Sequence, residues 1–281
     1  MNFVVPIDEA RRLFPEYTFV KALTPSVQKA AFHVQKNGED FCLKIIAPSY
    51  TLDRLQREVK ALINVKHPNV VRFSEYTFTI HDDISRHFIV EKFIDGTDLS
   101  DHLGTAWDTT RAAKFFVQLL AGLDELKKAD LVHRDLKPSN IRVRDDDSPV
   151  IIDLGLARHL DMPSLTKTAF GAAVGTPMYF APEQFSGDRN NVEHRTDLFA
   201  VGVLLYYALV GHHPFEGALA DMNTLADAIC NSEDHFNDPV FKQLSSQWQL
   251  VVKKLLSKQR EHRFNDANQA ATVIRRIGGL A

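Results

Sequence analysis

Three polar residues with the right chemistry for phosphoryl transfer lie close together in the sequence: Asp135, Asn140 and Asp153. An aspartate can accept the proton of an attacking hydroxyl group. A second carboxylate and an amide oxygen are hard ligands of the kind that bind Mg²⁺, and this ion neutralises the phosphates of a nucleotide. The three residues therefore predict one base and two metal ligands at a single site.

Two lysines could supply positive charge to the same site. Lys137 lies two residues after Asp135, where its ammonium group could neutralise charge on a transferring phosphoryl group. Lys44 lies in the apolar segment 41–46, and a buried cation needs a partner. An isolated lysine commonly packs its methylene chain against apolar residues and extends its ammonium group into solvent. The assignment of Lys44 to the functional site therefore depends on the other residues of the site.

Several strings of residues are similar to one known set of motifs. The residues from His133 to Asn140 fit the pattern H-R-D-x-x-x-x-N at every fixed position. The triplet 153–155 is similar to Asp-Phe-Gly with leucine in the middle place, and the segment 175–183 ends in Ala-Pro-Glu. On these motifs the chain resembles a eukaryotic-like protein serine/threonine kinase from residue 19 to about residue 277. Gln184, directly after Ala-Pro-Glu, and the compact length of a kinase domain alone both resemble bacterial members of the family.

The resemblance implies an enzyme that uses ATP and Mg²⁺ to phosphorylate serine and threonine hydroxyls of a protein substrate. Asp135 would be the base, and Asn140 and Asp153 would hold the metal ion. Lys44 would bind the α- and β-phosphates, and Glu58 would orient it from a helix.

The resemblance also implies residues that select and position the peptide. Lys137 marks serine/threonine specificity, and Thr176 would hydrogen-bond Asp135 and Lys137. Glu183 would pair with Arg263 near the end of the domain. The buried aspartate that fixes the backbone of the catalytic loop would be Asp197.

Regulation by phosphorylation is a further implication. Arg134 precedes the base, and in the family such an arginine binds an anion supplied by a phosphorylated activation loop. We expect autophosphorylation in that loop, with a transient homodimer if it occurs in trans. The candidate phosphorylation sites are Ser164, Thr166 and Thr168.

The nucleotide side of the site departs from the family pattern. The segment 23–31 occupies the place of the glycine-rich phosphate loop but contains no glycine, so Ser26 and Lys29 are the candidate phosphate contacts. Backbone amides of Lys92 and Ile94 would contact adenine. Alignment places Glu91 at the back of the adenine pocket, where a buried acid is costly unless it has a partner.

The pattern of apolar residues predicts an α+β fold with two lobes, and the resemblance implies a single, bilobal kinase domain over residues 1–281. Residues 1–94 would form a small lobe with an antiparallel sheet and one helix, and residues 95–281 a larger, mostly helical lobe, with the nucleotide in the cleft between them. Expected strands cover residues 30–35, 41–46, 70–76 and 88–90, and the expected helix of the small lobe covers 52–65. Expected helices of the large lobe cover 109–131, 194–210, 219–231, 245–258 and 266–277.

Composition argues against several other classes of protein. The chain is 44% hydrophobic and 25% charged, with a formal net charge of −3, which gives no general attraction to nucleic acid or anionic membranes. The longest apolar run, 198–210, is too short to cross a bilayer, and residues 1–20 do not form a secretory signal. We therefore expect a cytoplasmic protein with neither a nucleic-acid nor a membrane partner.

Two alternatives share part of this pattern. A pseudokinase, acting as a nucleotide-binding regulatory or scaffold module, would explain the glycine-free loop. However, degenerate kinases commonly lose the base, the strand lysine or the metal-binding aspartate, and this sequence keeps all three. A small-molecule kinase of the antibiotic-phosphorylating type would share the base and metal ligands but lacks the Ala-Pro-Glu segment.

Overall fold

The computed structural model describes residues 2–26, 29–47, 62–81, 84–154, 177–186 and 191–280. They form two compact units. The first contains the described residues of 2–67 and 71–95, and the second contains 68–70 and the described residues from 96 onward. Because the first is built on an antiparallel sheet and the second is mostly helical, the α+β class is confirmed.

The first unit is an antiparallel five-stranded sheet with a short helix, and its strand order is β1-β2-β3-β5-β4. Asn37 and Gly38 join β2 to β3 with positive φ angles of 54° and 77°, as expected of a tight hairpin. The elements are α1 (Ile7–Leu13), β1 (Thr18–Ala22), β2 (Lys29–Lys36), β3 (Glu39–Ile46), β4 (Phe73–His81) and β5 (Ile84–Lys92).

One face of this sheet packs under α1. Alternate residues of each strand point to the same face, so Phe32 of β2, Leu43 of β3 and Phe88 of β5 all join one core. Phe14, directly after α1, packs edge-on against Phe88 with ring centroids 4.3 Å apart. The opposite face carries Lys44. The sequence analysis did not predict α1 or β1.

The second unit contains most of the helices found among the described residues. They are α2 (Thr109–Lys128), α3 (Pro182–Phe185), α4 (His194–Val210), α5 (Met222–Asn231), α6 (Pro239–Gln243), α7 (Ser246–Leu255) and α8 (Ala267–Ile277). A small antiparallel sheet has the order β6-β7-β8 and consists of β6 (Thr97–Asp98), β7 (Ile141–Val143) and β8 (Pro149–Ile151).

Helix α4 is the centre of the second unit, since nearly all its residues are buried. It packs against α2 and α7, and Gly202 allows the close approach because an added Cβ would lie 2.8 Å from Leu255 Cβ. Asp108 caps the start of α2, and its carboxylate accepts the N–H groups of Thr110 and Arg111 at 2.9 Å. This packing sets the position of the loops before β7 and at the start of α4.

Some expected element bounds were wrong. The strand expected at 70–76 begins at Phe73 instead, and Val70 forms an isolated bridge with Ile151 in the second unit. The helix expected to reach residue 131 ends at Lys128, and Asp130 adopts a left-handed conformation with φ of 57°. The small-lobe helix expected at 52–65 lies largely outside the described residues. Among the described helices, none is long and apolar enough to span a membrane.

Candidate functional site

The catalytic-loop residues of the second unit converge on the carboxylate of Asp135. Lys137 Nζ lies 3.2 Å from Asp135 Oδ2, and Asn140 Nδ2 donates to the same oxygen at 3.2 Å and to the Asp135 carbonyl at 2.8 Å. A 3₁₀ turn, Pro138–Asn140, brings the amide back toward the aspartate, and proline is well suited to its first position. The loop therefore holds one carboxylate between a cation and an amide donor.

Asp197 holds the backbone of this loop. It lies buried in the first turn of α4 and accepts the N–H groups of His133 and Arg134, both at 2.8 Å. Burial raises the pKa of Asp197, and the two N–H groups and nearby positive charge oppose that rise. Two oriented bonds from one buried carboxylate leave the loop little freedom at the residues just before Asp135.

The ring of His133 links the loop to the chain before Asp153. The N–H of Asp135 donates to His133 Nδ1 at 3.3 Å, so Nδ1 is the unprotonated nitrogen. His133 Nε2 lies 3.2 Å from the carbonyl oxygen of Ile152 and donates to it in this tautomer. The N–H of Ile152 in turn donates to the Asn140 carbonyl at 2.9 Å.

Strand register brings the two candidate metal ligands close together. Ile141 pairs with Ile151, so Asn140 and Asp153 lie just beyond the same end of the β7–β8 ladder. Asp153 has a left-handed φ of 61°, and Arg134 one of 63°. A non-glycine residue in this region costs roughly 1–2 kcal/mol, and such strain is often found at functional sites.

Glu183 and Arg263 form a bidentate ion pair inside the second unit. Arg263 Nη1 and Nη2 donate to the two carboxylate oxygens at 2.7 and 2.8 Å, and Thr196 Oγ1 donates to Glu183 Oε1 at 2.9 Å. Burial alone would raise the pKa of Glu183, but the hydrogen bonds and charge of Arg263 outweigh it and lower the pKa. The ion pair holds helix α3, which begins at Pro182 of the Ala-Pro-Glu segment.

Gln184 contributes a contact that the sequence analysis did not assign. Its Oε1 accepts the Ala181 N–H at 2.9 Å, and its Nε2 donates to the Arg134 carbonyl at 3.0 Å. This side chain therefore joins α3 to the catalytic loop beside Asp135. Its position directly after Glu183 was the only sequence signal.

Lys44, in the first unit, forms an ion pair with Glu91. Lys44 Nζ donates to Glu91 Oε2, and the side chains are only 8% and 3% exposed. The partner expected from the sequence, Glu58, lies outside the described residues. The unusual acid on β5 is thus a partner of the strand lysine.

The segment in place of the phosphate loop is held by its own hydrogen bonds. The N–H of Ser26 donates to the Lys29 carbonyl at 2.9 Å, and the Lys29 N–H donates to Ser26 Oγ at 3.2 Å. Phe3 donates its N–H to the Ser26 carbonyl at 2.7 Å, so the N-terminal residues brace this turn. Hydrogen bonds between Ser26 and Lys29 are thus found where the family has flexible glycines.

Lys92 and Ile94, the residues expected to contact adenine, lie at and just beyond the end of β5. The N–H of Lys92 donates to the Arg72 carbonyl at 2.9 Å. Ile94, after the end of β5, is half-buried.

The remaining candidates lie outside the described residues. They are Gly155, Ser164, Thr166, Thr168 and Thr176. Their places relative to Asp135 and Arg134 therefore remain expectations from the sequence.

Comparison with known proteins gives one family. Residues 26–273 match the family model described as "Protein kinase domain". A probable serine/threonine-protein kinase of Streptomyces coelicolor is 27% identical over 279 residues, which cover 95% of this chain and 41% of that protein.

Two further relatives are more similar over a shorter span. Serine/threonine-protein kinase pkn3 of Myxococcus xanthus is 36% identical over 182 residues, covering 61% of this chain and 32% of that protein. Serine/threonine-protein kinase PknD of Mycobacterium tuberculosis is 36% identical over 181 residues, covering 62% and 26%. The chain thus spans less than half the length of these curated relatives.

Proposed function

The chain belongs to the protein kinase domain family, and on that premise we propose that it is a serine/threonine kinase that transfers the γ-phosphate of ATP to protein hydroxyls. The observation that carries the proposal is the convergence of Lys137 and Asn140 on the carboxylate of Asp135. The relatives named as serine/threonine-protein kinases support the same substrate class.

Asp135 orients the substrate hydroxyl and accepts its proton as the phosphoryl group transfers. Its half-buried carboxylate is held by Asn140, so the accepting oxygens keep one direction before substrate arrives. Lys137, whose Nζ lies 3.2 Å from the carboxylate of the base, would neutralise charge that develops on the phosphoryl oxygens.

The donor set near the end of the β7–β8 ladder fits Mg²⁺. Asn140 supplies an amide oxygen and Asp153 a carboxylate, and Mg²⁺ characteristically takes few protein ligands when it also binds phosphates and water. Asn140 and Asp153 would hold the ion, which would supply positive charge to neutralise the phosphates. Among the described residues no cluster of three or more His, Cys, Asp or Glu side chains offers a different metal site.

Lys44 binds the α- and β-phosphates in this proposal, and the braced turn at Ser26 and Lys29 covers them. The turn presents hydroxyl and backbone groups where the family has glycines. We therefore expect weaker ATP binding than in kinases with a glycine-rich loop, with the chemistry retained. The glycine-free loop does not favour a pseudokinase over an active kinase, because the predicted base, the strand lysine and both predicted metal ligands are present.

The test uses the purified chain, γ-labelled ATP, Mg²⁺ and a generic basic protein. We expect label on serine or threonine, loss of label when Mg²⁺ is chelated, and a fall of about 100- to 10,000-fold for Asp135→Asn because the base is removed. Asp227→Asn, the same change at an exposed position of α5, should retain full activity. Equal activity of Asp135→Asn and wild type would overturn the assigned site, and label on tyrosine alone would overturn the substrate class.

A further inference from the structure

One peptide group of the catalytic loop, the group that joins Arg134 to Asp135, is held on both sides. Its carbonyl oxygen accepts a hydrogen bond from Gln184 Nε2 at 3.0 Å, and its N–H donates to His133 Nδ1 at 3.3 Å. Because a peptide group is planar, bonds to its C=O and its N–H together set the rotation of the whole plane. The Cα atom of Asp135 lies in this plane, so the two contacts set the direction in which the predicted base leaves the backbone.

This peptide group needs support because the backbone just before it is strained. Arg134 has a left-handed φ of 63°, a conformation that persists in a non-glycine residue only when its surroundings hold it. Asp197 accepts the N–H groups of His133 and Arg134, which lie on the N-terminal side of the peptide group. Gln184 acts at the next position along the chain, on the carbonyl that directly precedes Asp135. The two side chains therefore restrain different parts of the loop.

The amide group of Gln184 has one orientation that satisfies both of its contacts. Its Oε1 accepts the Ala181 N–H at 2.9 Å while its Nε2 donates to the loop. Rotating the amide by 180° would place an oxygen against a carbonyl and an NH₂ group against an N–H. The neighbouring residue, Glu183, accepts two hydrogen bonds of 2.7 and 2.8 Å from Arg263, which hold helix α3 in place. Gln184 therefore reaches the loop from a fixed support.

From these contacts we propose that Gln184 is a positioning residue for the base Asp135, and that it ties the base to the segment that receives the substrate peptide. Ala181 belongs to the segment 175–183, to which the family resemblance gives that role. One side-chain amide thus bonds the backbone of the predicted peptide-binding segment and the backbone of the catalytic loop. In this role Gln184 acts through the Arg134 carbonyl. This inference rests on the proposed function, since it assigns a role within the same active site.

The main experiment compares two replacements of Gln184. Gln184→Glu keeps an oxygen that can accept the Ala181 N–H but has no donor for the Arg134 carbonyl, whereas Gln184→Met has a similar length and makes neither contact. We expect both variants to lower kcat by about ten-fold or more, because a small displacement of the base is costly to the reaction. The Kd for Mg-ADP should stay within about two-fold of wild type, and the number of ADP sites per chain should be unchanged, whereas a loss of folded protein would reduce that number.

Two results of this comparison would overturn the inference. Wild-type kcat in Gln184→Glu would leave only the Ala181 contact as a cause of any loss in Gln184→Met. Wild-type kcat in Gln184→Met would show that neither contact matters to the reaction. If Gln184→Met does not fold, Gln184→Glu decides alone, since it keeps the contact at the start of α3.

Gln269 offers a matched control. It occupies the third position of α8, as Gln184 does in α3, and its Oε1 accepts the Asn265 N–H at 2.8 Å just before its helix. Gln269 is exposed, so Gln269→Glu and Gln269→Met should keep kcat within about two-fold of wild type. Losses as large as those at Gln184 would show that any such replacement at a helix start lowers activity, which would overturn the inference.

Amide hydrogen exchange reports on the loop without catalysis. When the Arg134 carbonyl is released, the peptide group can rotate and the Asp135 N–H loses its alignment with His133. We therefore expect this N–H to exchange about five-fold faster or more in both variants of Gln184, while amides in the middle of α4 exchange as in wild type. Unchanged exchange at Asp135 would contradict the inference even if kcat fell.

The exchange measurement also separates this inference from the proposed function. If wild type transfers no phosphate to any substrate, the proposed function fails. The exchange rates at Asp135 in wild type and in Gln184→Glu would still decide whether Gln184 holds the loop.

Discussion

Replacing Asp197 by asparagine tests how firmly the catalytic loop is held. The asparagine keeps one carbonyl oxygen for one of the two N–H donors, His133 or Arg134, and turns an NH₂ group toward the other. The loss of one charge-assisted hydrogen bond costs about 1.5–3 kcal/mol, and the second buried N–H is left without an acceptor. Because the replacement also removes a charge whose burial is unfavourable, we expect a total loss of about 2–3 kcal/mol in the free energy of unfolding.

The loss should be localised to the loop. Arg134 has a left-handed φ of 63°, a strain of roughly 1–2 kcal/mol that the Asp197 bonds offset. Weakening them lets the loop relax, so the amides of His133 and Arg134 should exchange with solvent at least ten-fold faster. Because Asp135 follows directly, kcat should fall at least ten-fold.

Denaturant unfolding, amide hydrogen exchange and kinetics are the assays, and Asp108→Asn is the matched control. Asp108 also accepts two N–H groups, but it is exposed at the start of α2, where asparagine serves as well as aspartate. The control should change stability by less than about 0.5 kcal/mol. An equally small effect of Asp197→Asn, with unchanged exchange at His133 and Arg134, would refute the reasoning.

Three other predictions concern the second unit. Glu183→Gln should lower the free energy of unfolding, measured in denaturant, by about 3–5 kcal/mol, because it leaves the buried guanidinium of Arg263 without a carboxylate. Since the pKa of Glu183 in the folded protein lies below the ordinary 4.5, the stability that this pair gives to wild type is complete above pH 4.5 and is lost as the pH falls further. A free energy of unfolding that does not change with the mutation would contradict the pairing. Burial lowers the pKa of His213 from 6.5 to about 4, so the unfolded state takes up the proton first as pH falls. This histidine alone should account for a loss of about 3 kcal/mol in the free energy of unfolding between pH 6.5 and 4, and melts of His213→Gln should lack that part of the pH dependence. Gly96→Ala should lower the free energy of unfolding by at least about 2 kcal/mol more than Gly104→Ala, measured in denaturant. Both glycines have a positive φ, but only an added Cβ at Gly96 overlaps a backbone carbonyl of β7; equal losses for the two variants would show that this clash is relieved.

Much of the fold could be predicted because its signals are local. The helix 194–210 was expected and found with the same bounds, since its apolar run is continuous and ends at a left-handed glycine, Gly211. The helix at the end of the chain begins one residue later than expected because Asp266 caps it by accepting the Gln269 N–H. Helices bounded by their own caps can be predicted from short stretches of sequence.

Other features could not be predicted because they depend on distant residues. Helix α1 has few apolar positions, and it is stabilised by packing on the sheet, as in the contact of Phe14 with Phe88. The partner of Lys44 depends on the register between β3 and β5, which no local pattern encodes. The residues of the catalytic loop, in contrast, could be predicted, because the motif from His133 to Asn140 has several fixed positions within eight residues.

The cover that α1 and β1 provide has a practical consequence for how this domain can be trimmed. The family match begins at residue 26, so a fragment cut at that boundary would lack both elements. Strand β2 would then become a bare sheet edge, and Phe32 and Phe88, each no more than 1% exposed in the intact chain, would lose their cover. Unprotected edges and large apolar patches favour self-association, so we expect such a fragment to aggregate more readily than the longer chain. The useful boundary for this domain therefore lies before residue 3, outside the limits of the family match.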